Sequence, residues 1–142
     1  IDQRLTFSEH VDNLCEATET RLYGMRSLKR LGLNKTGLGR YYTTNIRTAL
    51  SYACQAWTPL LSDILTNKII QVERKALRVI YPDLSYTDAI TECAIPSLAI
   101  FVQKQCIHYV GKIFNNPNHP LNHLITKNSG RSTRGSRPTR KP

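Results

Sequence analysis

Residues 62–82, SDILTNKIIQVERKALRVIYP, decide how the chain folds. Wound as a helix, Leu65, Ile69, Val72, Ala76 and Val79/Ile80 recur at spacings of three and four and form one apolar stripe. Lys68, Gln71, Lys75 and Arg78 fall on a second stripe, with Arg74 at its edge. Ser62 is a natural N-cap, Asp63 sits in the first turn, and Pro82 follows where a helix must stop. One face is built for burial. The other is either a solvated face or a surface that meets phosphates.

The same rhythm extends to both sides. Ser8 predicts the cap of a helix over 8–31, with Val11, Leu14, Cys15, Thr18, Leu22, Met25 and Leu28 inward. Its acids (Asp12, Glu16, Glu19) precede its bases (Arg21, Arg26, Lys29, Arg30), the order that suits a helix dipole. Gly32 predicts its end. Asn34 opens a helix over 35–57 with a stripe of Leu38, Tyr42, Ile46, Ala49, Ala53 and Trp57, widened by Tyr41, Leu50, Tyr52 and Cys54. Ser85 caps a short helix at 86–93, and Ser97 caps one over 97–115 with Leu98, Phe101/Val102, Cys106, Tyr109, Val110 and Ile113 inward. Lys104, His108 and Lys112 lie on its outer side. The fold class is therefore all-α: about five helices at roughly 8–31, 35–57, 62–81, 86–93 and 97–115 in a domain over 1–125. A basic tail over 126–142, rich in Arg, Ser, Gly and Pro, is predicted to be disordered.

A chain of 142 residues is long enough for one hydrophobic core. Its 20 Lys and Arg against 10 Asp and Glu give a formal charge of +10, which favours polyanionic partners. Six of those ten net charges belong to the stretch from Lys127 onward, so much of the electrostatic signal is a tail effect. No apolar run approaches the roughly 18 residues of a membrane span, and no signal peptide is visible, which predicts a nuclear or cytoplasmic protein. Cys15, Cys54, Cys93 and Cys106 are widely spaced within apolar patterns and predict buried free thiols.

Catalytic signatures are lacking. The sequence holds no Walker loop, GxGxxG, HExxH or GxSxG, and no adjacent aspartates that could hold two divalent ions. His119 and His123 have ligand-like spacing, but Pro120 interrupts any helix that would align them. Cys106 and His108, two apart on a helix, diverge. No metal site is predicted. Most aromatic residues lie on or beside apolar stripes and read as core, with Tyr41 and Tyr81 open to either reading.

Several segments coincide in order: ID-x2-L-x-F-x2-H at 1–10, RLYGMRSLKRLGL at 21–33, LSYACQAWTPLL at 50–61, IIQVERKALRVIYP at 69–82, Ile95-Pro96-Ser97-Leu98, and His119-Pro120-Leu121. Together they resemble the C-terminal part of the reverse transcriptase of a non-LTR retrotransposon (LINE-type, jockey-like), the thumb and the region C-terminal to it, over about residues 1–125. The resemblance implies that the parent is an RNA-directed DNA polymerase whose magnesium-binding aspartates, on a Tyr-x-Asp-Asp turn of the palm, lie upstream of Ile1. This chain alone is then not an enzyme, and needs no cofactor, metal or small-molecule substrate. Its implied partners are the template–primer duplex and the parent's palm domain, with no membrane. A thumb grips sugar-phosphate backbone, and charge and helical face nominate Arg26, Lys29, Arg30, Lys35, Arg40, Lys68, Lys75 and Arg78. The alternative is a stand-alone helical protein-interaction module with a nonspecifically binding basic tail.

Overall fold

Local chemistry sets most helix ends. In the computed structural model, which describes residues 6–124, the regular structure is helical throughout the described residues. Residues 1–5 and 125–142, including the tail predicted to be disordered, lie outside them. The chain divides into two compact units, Ile1–Cys106 and Ile107–Pro142. Helix α1 is Ser8–Arg30, α2 Lys35–Tyr41, α3 Thr48–Leu50, α4 Cys54–Trp57, α5 Asp63–Ile80, α6 Tyr86–Cys93 and α7 Leu98–Phe114.

Asn34, Ser62 and Ser85 cap α2, α5 and α6, accepting from the amides of Gly37, Leu65 and Asp88 respectively. Ser97 does the same for α7 through the Ile100 amide. At the end of α1, Gly32 adopts φ 91°; its amide bonds Lys29 O and the Leu33 amide bonds Leu28 O, the paired closure of a Schellman motif. Ser8 is not a cap. It is the first residue of α1, and Phe7 precedes it at φ 55° with its carbonyl accepting from the Val11 amide. A chain of ring contacts accounts for the shift: Phe7 lies edge-on to His10 and His10 edge-on to Trp57, with centroids 6.3 and 5.4 Å apart.

The predicted helix over 35–57 is not continuous. Between α2 and α3 it widens into a π-helical turn, Tyr42–Arg47, and after α3 it breaks, with Ala53 at φ 50° before α4. The Thr-Thr-Asn run supplies a cause. Thr43, Thr44 and Asn45 all bond carbonyls of the preceding turn through their side chains, and Thr48 reaches the carbonyl five residues back, at Thr43. The wide turn delays the helical rhythm by one residue. The buried set is therefore Leu38, Tyr42, Ile46, Leu50, Cys54 and Trp57, whereas Ala49 is half-buried and Ala53 exposed. Arg47 is carried inward by the same shift and is 5% exposed.

Helix α5 has the face its stripe predicts, with Leu65, Ile69, Val72, Ala76 and Ile80 buried, Leu77 beside them, and Glu73 among them at 1% exposure. This carboxylate accepts from Tyr42 Oη (2.9 Å), Tyr86 Oη (2.7 Å) and the Leu98 amide (2.8 Å), joining the π-turn, α6 and α7 to α5. Arg47 completes the polar set. Its Nη2 donates to the Pro96 carbonyl at 2.7 Å and its guanidinium lies 4.4 Å from the Phe101 ring centre.

Helices α1 and α5 pack extensively and run parallel, since Asp12 pairs with Lys68 and, seven residues further along both helices, Glu19 pairs with Lys75. In α7, Leu98 and Val102 are buried, while Tyr109 and Val110, predicted to face inward, are 40% and 50% exposed. In the second unit, the Asn122 side chain closes the end of α7 by donating to Ile113 O and Phe114 O.

Replacing Glu73 by Ala strands three buried donors and lowers unfolding free energy by roughly 3–5 kcal/mol, whereas Tyr42→Phe, which removes one donor, costs about 1–2 kcal/mol. Urea titration measures both. Burial first, and Glu73 second, push the Tyr42 and Tyr86 phenols well above their ordinary value of 10.0. The folded state thus favours the protonated phenols, so this stability is fully present below pH 10.0 and is lost as pH rises above it. Phenolate absorbance during alkaline titration should show these two tyrosines ionising together with loss of helical circular dichroism.

Candidate nucleic-acid interface

Because α1 and α5 are parallel, their C-terminal ends lie side by side. Each end presents unsatisfied carbonyls and a partial negative charge, and both sequences place bases there. Lys29 Nζ crosses from α1 to donate to the Val79 carbonyl of α5 at 2.6 Å. Around this contact opens a cleft of about 780 Å³ lined by Arg26, Lys29, Arg30, Lys75, Arg78 and Val79. Among the described residues no carboxylate lines it.

Five of the eight residues nominated from sequence therefore converge on one surface, and their roles differ. Arg26, Arg30 and Arg78 have no hydrogen-bond or ion-pair partner among the described residues. Lys29 is committed to Val79 O, and Lys75 to the Glu19 carboxylate. A guanidinium offers a planar fork that matches phosphate oxygens two at a time, so free arginines suit phosphate better than lysines already engaged.

The other three nominated residues lie elsewhere. Lys68 does not line the cleft; it bonds Asp12 Oδ1 at 2.7 Å, and that hydrogen bond, with the charge behind it, holds the ammonium above its ordinary range. Lys35 and Arg40 line a separate depression of about 280 Å³ with Tyr81 and Glu92, where Lys35 Nζ sits 5.0 Å from the Tyr81 ring centre. Arg74, the edge of the basic stripe, lies 5.0 Å from the Tyr86 ring centre.

The aromatic reading also divides. Tyr81 is buried, but Tyr23 and Tyr52 are 64% and 78% exposed, against the expectation of core packing. None of them lines the basic cleft, so its chemistry is that of charge without base stacking. Burial pushes up the thiols of Cys15, Cys54 and Cys93, which leaves them poor nucleophiles. His119 Nδ1 accepts from the Leu121 amide, and among the described residues no three His, Cys, Asp or Glu side chains come together as a metal-ligand set.

Compared with known proteins, the chain matches no family model, no curated protein and no solved structure. No helix among the described residues is long and apolar enough to cross a membrane.

Two residues central to the architecture, Glu73 and Arg47, do not stand out in the sequence. Glu73 does carry a signal: it lies four residues from both Ile69 and Leu77, on the apolar face of its helix. The division of labour among the cations predicts separate effects on stability. Lys29→Met removes the bond to Val79 O and lowers stability by about 1 kcal/mol, while Arg30→Gln changes it by less than about 0.5 kcal/mol. Paired urea unfolding curves distinguish the two.

Proposed function

We propose that this chain is the thumb region of a LINE-type reverse transcriptase and that it holds the template–primer duplex through sugar-phosphate contacts. The observation that supports this reading best is the basic cleft, where Arg26, Lys29, Arg30, Lys75 and Arg78 gather toward the ends of two parallel helices. It joins the resemblance in segment order, which includes both segments that build the cleft, RLYGMRSLKRLGL and IIQVERKALRVIYP. Backbone contacts need charge and polar groups without a base-reading set, and that is the composition of the cleft.

In this proposal the palm of the parent polymerase is the second partner and carries the reaction. Magnesium-dependent nucleotidyl transfer needs clustered carboxylates, which the resemblance places in the palm. The proposal assigns no step of the reaction to residues of this chain. Its work is to bind and to keep the duplex from leaving.

One observation favours the second reading, a helical module that docks a protein. An apolar cleft of about 310 Å³ lies between α5, α7 and the 58–61 segment, lined by Trp57, Leu61, Ile69, Leu98, Val102 and Cys106 among others.

Nucleic-acid binding separates the two. Simultaneous Arg26→Glu, Arg30→Glu and Arg78→Glu should weaken binding to a mixed-sequence duplex by about a hundredfold, with log K of the native chain falling against log salt by about 0.9 per phosphate contacted. Reversing Lys35 and Arg40 should change affinity by no more than about threefold. Unaltered binding in the triple variant would count against the thumb reading. Removal of 126–142 tests whether the tail does the binding instead, since the truncated chain would then lose nearly all affinity.

A further inference from the structure

The cations of the cleft are not equally available, and one of them is held in a way that resembles a bound phosphate. Lys75 lines the cleft, yet its Nζ is bound to Glu19 Oε1 of α1. A carboxylate oxygen on an ammonium is the same class of contact as a phosphate oxygen on it. The pair is accessible, with side chains 52% and 41% exposed, and exposed pairs of this kind contribute little to stability and exchange readily. Lys29 differs, because its carbonyl acceptor belongs to the end of α5 and is part of the fold.

We propose that Glu19 acts as a resident competitor for Lys75, so that the cleft engages phosphates through Arg26, Arg30 and Arg78 and holds one further cation in reserve. This rests on the reading of the cleft as a phosphate-backbone surface. The competitor limits the grip. A thumb that releases and re-engages a duplex is served by fewer permanent contacts, and a single carboxylate sets that number here. The structure also contains a control. The Asp12–Lys68 pair repeats the geometry seven residues earlier on the same two helices, but Lys68 does not line the cleft.

The test measures binding of a mixed-sequence DNA duplex by fluorescence anisotropy across a salt series. Glu19→Gln should bind more tightly at low salt, and its log K against log salt slope should steepen by about 0.9, the signature of one more phosphate contact. Asp12→Asn, which removes the same charge outside the cleft, should keep the native slope. Adding Lys75→Gln to Glu19→Gln should return the slope to the native value, which assigns the gain to Lys75. An unchanged slope in Glu19→Gln, or a steeper slope that survives Lys75→Gln, overturns the role of Glu19. A triple Arg26→Gln, Arg30→Gln, Arg78→Gln variant separates this from the parent reading. Binding lost in the triple variant with no Glu19 effect leaves the cleft as the duplex surface and removes only the competitor. Binding retained in the triple variant overturns both.

Discussion

A single carboxylate, buried where carboxylates are rarely found, organises the first unit. Glu73 sits in the apolar face of α5 at 1% exposure, a placement that is costly without partners. Three donors from three other elements offset that cost, and each of them would in turn be stranded without the carboxylate. The π-turn, α6 and the start of α7 are thus fixed to one point on one helix. Hydrophobic burial alone tolerates sliding and repacking, whereas a hydrogen-bonded carboxylate of this kind admits few alternatives.

The parallel pairing of α1 and α5 is the second constraint, and it shapes the surface. Adjacent parallel helices add their end charges, and the cations of Arg26, Lys29, Arg30, Lys75 and Arg78 answer that requirement. The same residues leave more positive charge than the helix ends need, since Arg26, Arg30 and Arg78 find no partner among the described residues. Structural and binding explanations of the basic cluster are therefore complementary. Lys29 belongs mainly to the first; under the proposed function the arginines belong to the second.

What was legible from sequence was local. The caps at Asn34, Ser62, Ser85 and Ser97 and the closure at Gly32 each depend on a few consecutive residues, and they stand where the sequence predicts them. The apolar stripe of α5 was equally plain because an uninterrupted helix keeps one period. Apart from the π-turn, whose cause is local, the departures originate in distance along the chain. Phe7 replaces Ser8 as the residue before α1 because of rings contributed by His10 and Trp57. Lys68 and Lys75 look alike on their helix, and only their acidic partners, 56 residues away, and the position of the cleft separate them. Arg47 has the sequence setting of a surface base and is a clamp on the Pro96 carbonyl.

The π-turn at Tyr42–Arg47 has a consequence for kinship. It behaves as a one-residue insertion absorbed within a helix, with no loop to mark it. A relative lacking the insertion would be one residue shorter between Leu38 and Trp57 and would carry its bulky apolar side chains in the phase occupied here by Ala49 and Ala53. Residue-by-residue comparison at constant helical period would then pair core positions with surface positions across this segment. Descent in this part of the chain is better traced through the buried partners Tyr42, Leu50 and Cys54 than through sequence spacing.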